Sequence, residues 1–238
     1  LQVVSLNVGK SSNLIVGEGV GYYSWLRSIV IDGDINFRND YKLLSAPDPV
    51  PPEYYTQTPS GLTANNYPVG LAIVEIPGFL VGHLVAMVSS YKMDGASLPY
   101  QLAIPLFLIA LSLLSLFLLY RSLLHLGVDD SIAAALCAAI LLATNALHYI
   151  TKEPSMAHAA GLSLFSIVIF LVTKWKLRPR ELITFTERMA VGATIGLMIV
   201  VRYSNIALLP LLFLLIFRFI RWDIKFILPI VVSIISVC

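Results

Sequence analysis

Three short stretches of this chain bring together side chains able to move a proton or hold an anion. The longest is residues 17–42, GEGVGYYSWLRSIVIDGDINFRNDYK, which carries Glu18, Arg27, Asp32, Asp34, Arg38 and Asp40 among four tyrosine and tryptophan rings. Glu18 stands between Gly17 and Gly19. A carboxylate flanked by residues without side chains is open enough to approach a hydroxyl or an amine, as a general base must; the same arrangement also suits a solvated turn. Asp32 and Asp34 flank Gly33, which reads either as a plain turn or as paired oxygens for a metal or a substrate. Asn39, Asp40 and Tyr41 can bind sugar hydroxyls or cap a turn.

The second stretch is Thr151-Lys152-Glu153-Pro154-Ser155 with His158 close behind. An acid beside a base can hold a charged donor and tune a carboxylate, and the same residues can snorkel at a membrane edge. The third is Arg202, alone in an apolar run. A guanidinium at a helix turn can hold a phosphate through two hydrogen bonds or anchor the helix at an interface. The chain contains no P-loop, GxGxxG unit, zinc spacing or serine elbow, so no nucleotide cofactor is expected. No other cofactor is assigned, a divalent metal ion being the one candidate. Cys137 and Cys238 have no neighbour at disulfide or zinc spacing and read as small core residues.

The frame that must hold these stretches is apolar. Of 238 residues, 58% are hydrophobic and only 13% charged, about half the usual charge of a soluble domain, and the mean hydropathy is +0.82. The composition predicts an all-α integral membrane protein, a multi-spanning helical bundle with an outer loop that carries juxtamembrane helices. A net charge of +2, spread in short clusters, gives no nucleic-acid surface. The chain begins without methionine and stops inside LPIVVSIISVC, which reads as a fragment of a longer membrane protein, and no signal peptide is recognised at its start.

Residues 1–100 are expected to form a first extracytoplasmic loop. It contains a proline-rich segment at 45–59 and an amphipathic helix near 22–31, with Tyr22, Trp25, Leu26 and Ile29 on one face. Residues 69–90 contain Glu75, a Pro77-Gly78 break and His83, features that suit a helix lying on or dipping into the membrane. Residues 101–238 are expected to form the bundle, with spans near 101–120, 131–150, 156–173, 186–201, 204–218 and 226–238. Basic clusters at Arg121 with His125, at Lys174–Arg180 and at Arg218, Arg221 and Lys225 face the cytoplasm under the positive-inside rule. Parity between them puts Thr151–Ser155 and the turn at Arg202 on the other face. If 69–90 does not cross, residues 1–68 share that face.

In this order the motifs resemble those of bacterial C-type glycosyltransferases, multi-spanning enzymes akin to protein O-mannosyltransferases and the lipid A aminoarabinose transferase. GEGVGYYSWLRSIVIDGDINFRNDY resembles their first outer loop. Asn65-Asn66-Tyr67-Pro68-Val69-Gly70 before an apolar helix resembles a motif often written K-Y-P-x-G. Glu153-Pro154-Ser155-Met156-Ala157-His158 and Val201-Arg202-Tyr203-Ser204-Asn205 resemble later loop motifs. The resemblance implies a first helix upstream of Leu1, and juxtamembrane helices near 22–31 and 71–88 on the outer leaflet. It implies a catalytic base at Glu18, where the family usually has Asp. The family's lysine before Tyr-Pro is Asn66 here, so phosphate binding falls to Arg202, Lys152 or Arg27.

The expected activity is transfer of a sugar from a polyprenyl-phosphate donor to a protein, lipid or glycan acceptor, with inversion. The expected site is the extracytoplasmic face of a bacterial inner membrane. Glu18 is the expected catalytic residue, and Arg27, Asp40, Tyr67, Lys152, Glu153, His158 and Arg202 the expected substrate-binding residues. The alternative is a transporter or flippase of lipid-linked or anionic solutes. That reading needs polar residues near mid-membrane, where the sequence offers Thr144, Asn145, Ser163 and Ser166.

Overall fold

The computed structural model describes residues 13–46, 52–219 and 224–238. The start of the chain, where no signal peptide was recognised, residues 47–51 of the proline-rich segment, and Arg221 of the third basic cluster lie outside the described residues. Among the described residues the secondary structure is helical, with one isolated bridge between Gln57 and Thr63. Among the described residues three helices are long and apolar enough to cross a membrane: Gly70–Met87, Leu98–Leu126 and Ala157–Trp175. Two compact units divide the chain, residues 1–108 with 153–156, and residues 109–152 with 157–238.

The first unit is built on helix α1 (Glu18–Arg27), launched from Gly17 at φ 56°, a left-handed conformation that glycine adopts without strain. Its helical turns give way at Ser28–Asp32 to a π turn, closed by Gly33 at φ 72°. That wider turn corrects the expected helix at 22–31. Tyr22 and Leu26 are buried, but the extra residue per turn swings Ile29 out, to 51% exposure. Helix α2 (Arg38–Ser45) turns Asp40, Tyr41 and Leu44 inward.

Helix α3 (Gly70–Met87) buries Leu71, Ala72, Val74, Glu75, Gly78, Phe79, Gly82 and Ala86 on one side. Its other side exposes Ile73, Ile76, Leu80, Val81, Leu84 and Val85, a surface suited to lipid rather than water. The break expected at Pro77-Gly78 is absent, because proline removes one backbone hydrogen bond and the packing against α4 (Leu98–Leu126) retains the helix. That packing depends on the glycines. A Cβ at Gly78 would lie 3.0 Å from the Ile104 Cα, and one at Gly82 2.9 Å from the Tyr100 Cα.

In the second unit the expected span 131–150 is two helices, α5 (Asp130–Ala143) and α6 (Ala146–Thr151). Thr144 separates them with extended backbone. Its hydroxyl donates to the Ile140 carbonyl at 2.5 Å and accepts from the Ala146 N–H at 3.1 Å, so one side chain ends the first helix and starts the second. Helix α7 (Ala157–Trp175) packs against α8 (Phe185–Val201), which Thr184 and Glu187 begin with a reciprocal capping box. Helix α8 stops at Arg202, whose backbone is extended. A 3-10 turn over Tyr203–Leu208 follows, then α9 (Leu209–Phe219) and α10 (Ile224–Val237). Gly192 and Gly196, four apart, bring α8 onto the α10 backbone, and a Cβ at Gly192 would lie 2.3 Å from the Ile230 carbonyl oxygen. Small residues at this spacing are how helices approach closely in lipid.

Candidate functional site

In the first unit, Glu18 is exposed in the opening turn of α1, where a negative charge meets the positive end of the helix dipole. Tyr54 lies against the same turn. Its hydroxyl donates to the Gly17 carbonyl at 3.2 Å and sits 3.2 Å from the Tyr67 hydroxyl. With the Tyr54 proton committed to Gly17, Tyr67 donates to Tyr54. Burial pushes the Tyr54 phenol well above its ordinary range, and the hydrogen bond from Tyr67 and the charge of Glu18 push the same way. Tyr54 is therefore a neutral donor beside a carboxylate.

Tyr67 is clamped in place. Its ring meets Tyr22 edge-on at 4.9 Å and stacks with Tyr54 at 5.9 Å. The Trp25 indole donates to its carbonyl at 2.7 Å. A Cβ at Gly21 would lie 2.0 Å from the ring, so the second glycine of GVGYY makes room for Tyr67. Gly19 does the same for Ser155: a Cβ there would lie 2.3 Å from its Oγ. Ser155 is fully buried and its hydroxyl has no hydrogen-bond partner among the described residues. Gly17 meets the Met156 methyl on the same flank, the Gly17 Cβ position being 3.6 Å away. Glu153, in the same segment, is half-buried.

Arg27 and Asp40, both expected to contact substrate, instead close on each other. The Arg27 guanidinium donates to Asp40 Oδ1 at 2.6 Å and to Asp32 Oδ2 at 2.5 Å, and its Nε donates to the Asp94 carbonyl at 2.8 Å. Asp40 is fully buried, with its Oδ2 unpartnered among the described residues. Burial pushes its carboxyl up to about 6, against the opposing hydrogen bond from Arg27. Asp32 also accepts from Asn39 at 2.7 Å, and Asp34 from Ser28 and Asn36, each at 3.0 Å. These residues shape the turn. Among the described residues there is no group of three or more His, Cys, Asp or Glu side chains able to hold a metal ion.

The second unit holds a cavity of about 280 Å³ between α7 and the segment after α8. Its wall is apolar, with Leu162, Phe165 and Leu208, and its polar groups are His158, Arg202 and Asn205. Asn205 donates to the Met198 carbonyl at 2.9 Å and fits against Gly161. The His158 ring lies flat on Tyr149, centroids 4.0 Å apart and planes 2° from parallel. The half-exposed Arg202 makes no ion pair among the described residues. Lys152 is exposed just past α6.

Thus Glu18 and Tyr67 share one unit, and His158 and Arg202 line one cavity of the other. Sequence reasoning missed Tyr54, Ser155, Tyr149 and Asn205 as neighbours of these groups. Ser155 and Asn205 stood inside motifs already singled out, whereas nothing in the spacing marks Tyr54 or Tyr149. A comparison with family models, with curated proteins and with solved structures finds no match to this chain.

Proposed function

We propose that this chain belongs to an integral-membrane glycosyltransferase that takes its sugar from a polyprenyl-phosphate donor. The observation that carries the reading is the cavity of the second unit, with an unpaired guanidinium and an amide among apolar walls. That composition fits an anionic headgroup attached to an apolar chain. Arg202 is assigned the lipid phosphate, with His158 and Asn205 beside it.

Glu18 is assigned the base. It takes the proton of the acceptor hydroxyl or amine as that atom attacks the anomeric carbon. The bond from the anomeric carbon to the phosphate oxygen breaks, its electron pair leaves with the lipid phosphate, and the configuration inverts. Tyr54 and Tyr67 keep the turn that carries Glu18 in place.

The test is to incubate the purified protein with radiolabelled polyprenyl-phosphate sugars and follow release of the lipid phosphate. Release accompanied by inverted product supports the reading. Movement of the lipid across a bilayer with no sugar transferred would favour a transporter or flippase instead. Arg202→Ala is expected to weaken donor binding by at least about tenfold, the scale of one charge-assisted hydrogen bond. Unchanged donor binding in that variant would take the phosphate away from this cavity.

An active face outside the cytoplasm is the reading the basic clusters support under the positive-inside rule, and it requires α3 to lie in the outer leaflet rather than cross. Asn66 is exposed just before α3. With Cys137 and Cys238 replaced by alanine, Asn66→Cys in intact cells is expected to react with a membrane-impermeant maleimide. Protection from that reagent until the cells are opened would make α3 a crossing helix.

A further inference from the structure

Glu75 is an acid that the sugar chemistry does not use. It is fully buried in the middle of α3, and neither carboxyl oxygen has a hydrogen-bond partner among the described residues. Both its neighbours along that side of the helix make tight contacts. Phe79, one turn on, packs on Tyr23 of α1 with ring centroids 6.4 Å apart, and Gly78 meets the α4 backbone. Glu75 therefore sits in the seam where α1 packs on α3, and its electrostatic influence reaches Tyr23.

No ionisable group of the surrounding elements pairs with Glu75 among the described residues, and Lys92 of the α3–α4 connection is exposed. On α1, the Tyr23 hydroxyl donates to the Gly95 carbonyl at 2.6 Å, Arg27 is held by Asp32 and Asp40, and Glu18 is exposed at the far end. On α4, Tyr100 pairs with His83 of α3 at 2.6 Å. Asp94, in the connection between α3 and α4, receives the N–H groups of Ala96 and Ser97. None of these supplies a counter-charge. An ionised carboxylate without one is strongly disfavoured in such packing, whereas the neutral acid is tolerated. An ionisable residue in an apolar helix of spanning length also marks a functional position more often than a structural one.

We propose that Glu75 is a proton-binding site whose occupancy locks α1 onto α3, and that loss of the proton releases α1 together with the turn that bears Glu18. The ligand is the proton itself. The device is independent of sugar transfer, because it needs only the seam and the acid.

Two measurements on the full chain in detergent micelles test it. The first labels the wild-type protein with dicyclohexylcarbodiimide. A protonated carboxyl adds its oxygen to the carbodiimide carbon, its proton passes to nitrogen, and the O-acylisourea rearranges to a stable N-acylurea. Peptide mass spectrometry is expected to find the adduct on Glu75 at neutral pH. A water-soluble carbodiimide with an amine nucleophile is expected to mark Glu18 and leave Glu75 untouched.

The second follows amide exchange of Glu18–Arg27, corrected for intrinsic base catalysis. Exchange is expected to rise by at least about tenfold between about pH 7 and about pH 10 in the wild type and to stay flat in Glu75→Gln. Absence of the apolar adduct, labelling of Glu75 by the water-soluble reagent, flat exchange in the wild type, or an equal rise in Glu75→Gln would each overturn the proposal. The labelling arm uses the native chain, so it stands even where the variant does not fold.

Discussion

Glu18→Gln is expected to lower kcat/KM for sugar transfer by at least about a hundredfold, the lower end of what a positioned general base contributes. The substitution preserves length and shape, replaces one acceptor oxygen by an NH2 donor, and removes the negative charge together with the ability to accept a proton. Glu18 is exposed, and its carboxylate makes no hydrogen bond or ion pair among the described residues. Its structural contribution is therefore limited to the helix dipole, about 0.3–1 kcal/mol. The melting temperature should consequently change little while turnover collapses. Glu18→Asp, one methylene shorter, should retain part of the activity. Initial rates with a radiolabelled donor, set beside thermal melts of the same preparations, separate the two effects. Wild-type turnover in Glu18→Gln would remove Glu18 from the chemistry.

The second large effect is on stability. Arg27→Met is expected to destabilise the first unit by about 3–5 kcal/mol, because it leaves a buried carboxylate without its counter-ion. Asp40 is fully buried with one oxygen already unpartnered, so no solvent replaces what Arg27 supplied. Acid should help the variant. The Asp40 carboxyl stands at about 6 in the fold, above its ordinary range, owing to burial. Its contribution to stability is thus fully present below about pH 4 and lost as the pH rises through about 6. Removing Arg27 takes away the interaction that favours the ionised form, so lowering the pH should recover more stability in the variant than in the wild type. Melting curves at stepped pH measure this directly. The double variant Arg27→Met with Asp40→Leu should regain most of the loss, since it removes both charges together. A single variant as stable as the wild type at neutral pH would mean that the pair contributes nothing.

Helical character and apolar length were legible in the sequence because they are properties of local runs. The helix stop at Arg202 falls where charge interrupts an apolar stretch, and the helices α4 and α7 fall on apolar runs whose only charged residues, Arg121 and Lys174, lie near their C-terminal ends. What escaped were features set by contacts between distant residues. The π turn at Ser28–Asp32 moves Ile29 off its expected face, and no apolar period signals it. The break at Thr144 depends on one hydroxyl bridging two helix ends, in a segment whose composition reads as a single span. Pro77-Gly78 carried the composition of a break, yet the glycine serves a close helix contact and the helix continues.

The candidate site divides in the same way. Glu18 and Arg202 could be singled out by chemistry and exposure. Arg27 and Asp40 have equally suggestive side chains, and only the fold shows that each is the other's partner. Tyr54 belongs to a proline-rich segment without periodicity, so its bond to Gly17 could not be anticipated.

Two contacts of the α1 turn bear on biosynthesis. The seat of Glu18 includes Ser155 against Gly19 and Met156 against Gly17, and these residues leave the ribosome more than a hundred positions after the turn they complete. At about 5–20 residues per second, roughly ten seconds of translation separate the two. Throughout that interval α1 can rest on α3 and on the Tyr67 clamp, but its leading edge has no cover. Assembly of this edge is thus tied to delivery of the segment that joins α6 to α7. A pause or an insertion error anywhere between α3 and α7 would leave the acidic turn unfinished, even in a chain whose local sequence there is intact.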